Sequence, residues 1–461
     1  MSPSIPSKRN NFTPVKYTCS LFSSLILLIT LSLPTANTHA SGINVEGLGV
    51  RAMSMGGAFI GLADDASAIF WNPAGLSQLQ GSGLTMALYS MTPDIKGSDG
   101  VTNRGVGDPD DPFDPNKGDI FPAFYDTEPN RYEDEDELWL FAATMPAIVA
   151  YKNYGRFTIA GGFFGTGGAY SKYNDTIRDP ATNARLDADV FALLALMTLN
   201  GSIGYQVTDK FSVGIGVDLL INIWRGDVDK EYNSLDNPDL NYEYTSRVRK
   251  WGYGFQGNLG MLYKFNDQWS IGGTYKTGSR FKLNGDTNVS VSGGSAIDPY
   301  KTREESDGHT DFVYGAYWGI GVAYKPTEKL TLTYDFTESD WSSFNWPGSN
   351  ARYEKEGKYL QDTNGDPGWK RSHGYHIGAE YMKSDRITLR AGYLNEGSGV
   401  PSDFENIVTT TIGDVQIANI GIGVKYDTWT VDYMVGSMWG DNGQGVKHVC
   451  YDFAVSFMRM L

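Results

Sequence analysis

Lys276, Arg280 and Arg390 are cations set in extended, otherwise apolar stretches of the chain. A buried ammonium or guanidinium facing a carboxylate makes charge-assisted hydrogen bonds roughly twice as strong as neutral ones. These three are therefore candidate partners for a ligand carboxylate. The competing assignment pairs them with internal acids such as Asp218 or Asp335. Catalytic signatures are missing: the sequence holds no Gly-x-Ser-x-Gly elbow, zinc-type histidine pair or phosphate loop. His373 and His376, three apart in a strand, point to opposite faces. Asp362-Thr363-Asn364-Gly365-Asp366 has the flavour of a calcium loop, but its glycine is misplaced and no closing glutamate follows. The residues point to binding without catalysis, metal or cofactor.

The elements that must hold such side chains alternate with a period of two. Phe211, Val213, Ile215, Val217, Leu219, Ile221 and Ile223 share one face, while Ser212, Gly214, Gly216, Asp218 and Asn222 share the other. Trp269, Ile271, Tyr275 and Phe281 alternate against Thr274, Lys276 and Arg280, which puts these two cations on the polar face. Fourteen such segments are expected between residues 82 and 460, many of ten residues or more, where strands of globular proteins average about 5 to 6. Short turns, as at Asn153 to Gly155 and Thr208 to Lys210, alternate with long polar segments at 93 to 137, 170 to 192, 225 to 241, 292 to 308 and 342 to 370. The pattern predicts an all-β fold: a transmembrane antiparallel barrel of about 14 strands over residues 82–461, with lipid on the apolar side and a polar lumen. Gly161, Gly162 and Gly165 crowd one strand, where glycine marks bulges and weak pairing. That strand is expected to bend inward and open a lateral gap near Asn72 to Ala74.

Compartment follows from the ends and the charge. Lys8, Arg9 and Lys16 precede the apolar run Leu21 to Leu33 and the small residues flanking His39, the layout of a cleaved signal over residues 1–40. The run is too short to span a bilayer, which takes about 20 residues. With Cys19 in the leader, only Cys450 remains, so no internal disulfide forms, as suits a bacterial envelope protein. Net charge is −16, which argues against a nucleic-acid partner. Glycine at 55 residues and aromatics at 13% fit many glycine-punctuated strands in a single sheet.

Residues 41–81 lack strand alternation and are too small and apolar to fold alone. The lumen is where they would pack. They carry Gly47-Leu48-Gly49-Val50-Arg51-Ala52, then Gly56-Gly57-Ala58-Phe59, Ala63-Asp64-Asp65-Ala66-Ser67-Ala68 and Phe70-Trp71-Asn72-Pro73-Ala74-Gly75-Leu76. This ordered set resembles the N-terminal hatch of the FadL family of outer-membrane transporters for long-chain fatty acids and aromatic hydrocarbons. Phe211 to Gly216, Thr274 to Thr277, Asp335 to Trp341, Gly378 to Tyr381 and Arg390 to Tyr393 extend the resemblance along the chain. The acidic segment 93 to 137 stands outside it, and the terminus Arg459-Met460-Leu461 departs from the usual terminal aromatic, leaving Phe457 as the signal for the barrel assembly machinery.

The resemblance implies a plugged monomeric barrel in the bacterial outer membrane, in contact with lipid and lipopolysaccharide. It implies passive import of a long-chain fatty acid or other hydrophobic ligand, down its gradient, through an internal pocket and out sideways through the wall. Phe70, Asn72, Pro73, Ala74 and Gly75 are then the ligand and gating residues of the hatch, and Gly161, Gly162 and Gly165 the lateral opening. The alternatives are a general diffusion porin, which would lack the hatch, and an outer-membrane lipid hydrolase, which needs a positioned nucleophile and base.

Overall fold

The computed structural model describes residues 47–96, 144–178, 185–234, 237–343, 350–365, 368–399, 414–441 and 447–461. The leader, the acidic clusters Asp108 to Asp114 and Glu133 to Glu137, and Asp366 lie outside the described residues. Among the described residues, seventeen strands form one antiparallel sheet. In order they are β1 Ser82–Lys96, β2 Thr144–Asn153, β3 Phe157–Arg178, β4 Arg185–Gln206, β5 Phe211–Asn233, β6 Tyr242–Lys264, β7 Trp269–Lys276, β8 Ser279–Gly293 and β9 Thr302–Tyr314. Then come β10 Tyr317–Thr327, β11 Leu330–Asp340, β12 Ala351–Tyr353, β13 Arg371–Met382, β14 Ile387–Glu396, β15 Asp414–Lys425, β16 Trp429–Asp441 and β17 Lys447–Met460. β1 pairs with β17 from Gly83 opposite Met460 to Lys96 opposite Lys447, which closes the sheet into a barrel.

Seventeen strands make fourteen staves. β7 and β8 are one stave interrupted at Thr277 and Gly278, since β6 pairs with both. β9 and β10 are likewise one stave, broken at Gly315 and Ala316, and β12 is a short addition to β9. The two breaks lie side by side, because β7 pairs with β10 and β8 with β9. Gln256 closes part of the gap by donating to the Thr277 carbonyl at 2.6 Å, and the Thr277 hydroxyl accepts from the Gly257 N–H at 2.9 Å.

The break corrects one expectation. Thr277 and Gly278 shift the parity of the stave, so Phe281 turns inward and is buried while Arg280 points out and is exposed. A second correction concerns length. β3, β4 and β5 run well into the segments 170 to 192 and 225 to 241 that had read as loops, and β9 reaches back into 292 to 308. Their ladders continue through outward charged pairs such as Asp187 opposite Glu231, while Leu186, Ala188 and Val190 on the other face of β4 are buried.

The outer surface is apolar. Phe255 is 62% exposed, Trp251 60% and Ile420 60%, far beyond the patches a water-soluble monomer leaves open. On β6 the outward residues run from Tyr263 to Trp251, roughly 40 Å of strand and so roughly 30 Å of height at a tilt near 40°. Stacked rings mark the short-turn rim, Tyr154 on Phe157 and Trp269 on Tyr324. Both chain ends of the barrel lie on that rim, the periplasmic side by the usual asymmetry of these proteins.

Residues 47–80 pack against inward-facing side chains. Short helices Val50–Ser54 and Ala68–Trp71 and the 3-10 turn Pro73–Gln78 carry them. Met55, Phe59, Ile60, Ile69 and Leu76 are fully buried. One apolar cluster unites Phe59, Ile69, Trp71 and Leu76 with Val149, Phe164, Ala323, Met434 and Ala454, on strands from β2 round to β17.

Candidate functional site

Asn72 is the centre of the seat. It has no exposure, and its side chain donates to the carbonyls of Ile60 and Met261 at 2.9 Å each while accepting from the Ala74 N–H at 3.1 Å. The residue before proline is held out of the helical region, so Asn72 adopts φ −164°, ψ 100° and ends the helix Ala68–Trp71. Pro73 then opens the 3-10 turn.

The barrel wall under Asn72, Pro73 and Ala74 is lined with glycine. A Cβ on Gly204 would come within 2.7 Å of the Pro73 carbonyl oxygen. On Gly214 it would overlap the Pro73–Ala74 peptide, on Gly260 the Asn72 side chain, and on Gly272 the Ile60 carbonyl. These four glycines stand on consecutive strands, β4 to β7, and let two backbones meet directly. Gly75 does the same within the segment, where Ala63 leaves no space for a side chain.

Further pins surround the seat. Asp335 accepts from the Ile60 N–H at 2.6 Å, Asn258 donates to the Ile69 carbonyl at 3.0 Å, and Asn419 donates to the Met53 carbonyl at 2.9 Å. The His376 Nδ1 meets the Gly56 carbonyl at 2.8 Å. Gly56 and Gly57 both need glycine, with φ of 65° and 71°.

A charged network joins the segment to the wall on the periplasmic side. The Arg51 guanidinium donates to both oxygens of Glu380, at 2.7 and 2.8 Å, and meets Asp64 at 2.5 Å and Asp65 at 3.3 Å. Glu380 also accepts from Arg390, which reaches Asp432 at 2.6 Å. Burial works against the charge of Arg51, yet Asp64 and Glu380 outweigh it and hold the guanidinium well above its usual range. Burial pushes the Asp65 carboxyl up, with Arg51 pulling the other way.

Above the segment lies a cavity. Ile69, Phe70 and Trp71 form its floor, and Phe164, Tyr314, Tyr317 and Trp341 supply further apolar lining. Lys276 and Asp218 also line it, with Lys276 Nζ 3.5 Å from the centre of the Phe70 ring. Ligand sites of this kind are mostly apolar with a few placed polar groups.

The three expected cations therefore part company. Lys276 lines the cavity, Arg390 is buried in the periplasmic ion-pair network, and Arg280 lies on the outside. The glycines of β3 are also placed differently from the expectation. Gly162 backs onto Ile69, a Cβ there standing 2.8 Å from its Cδ1, while Asn72 to Ala74 face β4 to β7. Gly165 does mark an irregularity, because the register of β3 against β4 slips between Gly165 and Gly167 and pairing with β2 ends at Phe164. Sequence reasoning missed the wall glycines as a set and the partners of Arg51. Parity already put Gly214 on the inner face; adjacency of strands was the missing piece.

A closed fourteen-strand barrel with an apolar exterior, whose inner face seats an N-terminal segment beneath an aromatic cavity, defines an outer-membrane protein of the transport class. The chain belongs to the family described as outer membrane protein transport protein (OMPP1/FadL/TodX), whose model matches residues 26–448. It is 22% identical over 407 residues to an outer membrane protein of Neisseria meningitidis serogroup B, covering 83% of this chain and 82% of that one. It is also 22% identical to outer membrane protein P1 of Haemophilus influenzae, over 51% of this chain and 53% of the relative. A FadL homologue of Pseudomonas aeruginosa superimposes with a TM-score of 0.68 at 18% identity, covering 91% of this chain and all of that one. The toluene transporter TbuX of Ralstonia pickettii does so with 0.63 at 17%, over 91% and 99%. The family and fold are those of transporters of hydrophobic compounds across the outer membrane.

Proposed function

We propose that this protein passively imports long-chain fatty acids or related hydrocarbons. The ligand enters the aromatic cavity above residues 47–80, which act as a hatch, and leaves sideways between β2 and β3 into the bilayer. The observation that carries the reading is the cavity itself, floored by Ile69, Phe70 and Trp71 and walled by further aromatic rings, in which the Lys276 ammonium stands among the polar lining groups Asp218, Gln256, His376 and Glu396. An apolar ligand gains roughly 25 cal/mol for each Å² withdrawn from water, and lateral release hands it to hydrocarbon without returning it to water. No chemistry is involved; the gradient supplies the drive. The end of β2–β3 pairing at Phe164, beside the bulge at Gly165, supports the choice of exit.

The test is uptake by a strain lacking the protein, with mass spectrometry of ligand extracted from the purified chain. Wild type should restore uptake and carry a fatty acid or hydrocarbon. Lys276→Met should weaken binding of a fatty acid by about tenfold, the worth of one charge-assisted hydrogen bond, and leave a hydrocarbon of equal length unaffected. Unrestored uptake overturns the import reading. Equal fatty-acid affinity in the variant removes Lys276 from carboxylate recognition and returns it to a partner of Asp218.

A further inference from the structure

The cavity ends on two irregular stretches of the wall. On one side Phe164 and Thr166 line it, flanking the slip of β3 at Gly165. On the other side Lys276, Tyr314, Gly315, Ala316 and Tyr317 line it, the residues around the breaks of the β7–β8 and β9–β10 staves. This second stretch also lacks a ladder. β6 pairs with β7 as far as Asn258 opposite Lys276 and with β8 from Trp251 opposite Asn284, so residues 252 to 257 have no ladder partner on that side. Gln256 and Gly257 alone reach Thr277 by hydrogen bonds among the described residues. Hydrocarbon cannot satisfy freed backbone groups, and a gap of this kind is tolerated within a membrane where it is buried in protein or lines a cavity. Its cause is local, because β8 rides over the inner face of β6. A Cβ on Gly252 would overlap the Lys282 carbonyl oxygen, and one on Gly254 the Phe281 ring. Two glycines thus let β8 lie across β6 rather than beside it. Phe281 and Gln256 close the gap from within, and both do so with side chains.

A cation stands on each side of this gap. Inside, Lys276 is 8% exposed and lies over the Phe70 ring, with no hydrogen bond or ion pair among the described residues; the Asp218 carboxylate is beyond ion-pair distance. Outside, four residues along the same stave, is Arg280. Counting down from Asn284 opposite Trp251, Arg280 is level with Phe255. That is about 13 Å of strand and roughly 10 Å of height below the top of the apolar belt. Its ladder partner is Val313, and no carboxylate of the described residues pairs with it; Asp311, one row higher, stands opposite Lys282. A lipid-facing arginine at such depth is costly unless its long side chain reaches the headgroups or meets an anion.

We propose that residues 252 to 256 of the β6–β8 seam form a side entrance to the cavity, which takes a long-chain carboxylate amphiphile from the outer leaflet with its head on Arg280 and passes it inward to Lys276. The entrance rests on the import reading above and supplies the way in, four staves round from the exit between β2 and β3. An amphiphile in the leaflet keeps its chain in hydrocarbon and its carboxylate at the boundary, where a guanidinium binds it through paired charge-assisted hydrogen bonds. Phe281 and Gln256 then swing aside by rotamer changes, which are fast compared with any movement of backbone.

The experiment is photolabelling of the protein in outer-membrane vesicles, with a long-chain fatty acid carrying a diazirine on its chain and with the alcohol of equal length, read by peptide mass spectrometry. In wild type the acid should label the cavity and, on the outer wall, Tyr253 and Phe255 well above Ile420 of β15, a belt residue of like exposure across the barrel. Arg280→Gln, at an exposed position, should lower the acid's labelling of the seam by about tenfold, the worth of one charge-assisted hydrogen bond, and leave the alcohol's unchanged. A Cβ on Gly257 would stand 3.6 Å from the Thr277 Cγ2, so Gly257→Cys/Thr277→Cys should oxidise and tie the lower edge of the gap. Labelling of the cavity should then fall, and return with a reductant. Three results each overturn the entrance and leave import standing: label in the cavity without excess label at the seam, equal seam labelling by wild type and Arg280→Gln, or undiminished cavity labelling with the bridge shown closed by mass. Absence of label from the cavity overturns import itself, and the entrance with it.

Discussion

One methyl group measures how closely the N-terminal segment is seated. Gly214→Ala puts a Cβ into the Pro73–Ala74 peptide, which is backbone and cannot swing aside. Overpacking of this kind costs about 1–3 kcal/mol. Gly201→Ala, on the neighbouring strand with nothing within 4 Å of the added carbon, is the matched control. Urea unfolding in detergent should show a lower midpoint for the first and none of that loss for the second; equal midpoints would mean the segment does not bear on the wall at Gly214. Much at this scale was legible in the sequence. Asn72-Pro73 had to end a helix, and parity put Gly214, Asp218, Lys276 and Arg390 inside. Which inward residues meet depends on how far each strand is staggered, which no single strand encodes. Arg390 therefore read as a ligand partner, though Glu380 and Asp432 consume its charge.

At the scale of the element, periodicity identifies a strand well until the strand is interrupted. Thr277 and Gly278 leave the residue count continuous and invert every later side chain of the stave, which is why Arg280 and Phe281 exchanged places. Loop boundaries failed for a different cause: β3 to β5 stay paired beyond the membrane, where the alternation reverses its sense, as on β4 with Leu186, Ala188 and Val190 buried and Arg185, Asp187 and Asp189 on the other face. The β2–β3 seam gives the sharpest test of lateral release. A Cβ on Gly165 would stand 3.6 Å from the Met145 Cβ, within the range a disulfide spans. Met145→Cys/Gly165→Cys should therefore oxidise and staple the seam where its pairing ends, the native Cys450 being buried. Uptake should fall to the level of a strain lacking the protein and return when a reductant is added. Undiminished uptake with the staple shown closed by mass would place the exit elsewhere.

For the whole molecule, the decisive property is whether the barrel is shut. Barrels of 16 to 18 strands leave an aqueous channel, and fourteen strands enclose enough space to need filling. Residues 47–80, the proposed filling, are pinned from many directions: by Asp335 on β11, Met261 and Asn258 on β6, His376 and Glu380 on β13, and Asn419 on β15. Under the proposal that this segment is the hatch, it has to be loosened at several pins before it leaks, since each buried pin is worth about 1–3 kcal/mol once a partner is left unsatisfied. The unmodified protein in planar bilayers should accordingly give no sustained ion steps, and Asn72→Ala alone should give none. Asn72→Ala/Asp335→Ala frees the Ile60 peptide on both its N–H and carbonyl sides, and with it the link to Met261, so brief openings should appear without loss of the barrel's heat-resistant mobility on gels. Steady conductance from the unmodified chain would make the protein a diffusion porin whose N-terminal segment is lining, not closure, and the cavity over Phe70 would then be a widening of an open path.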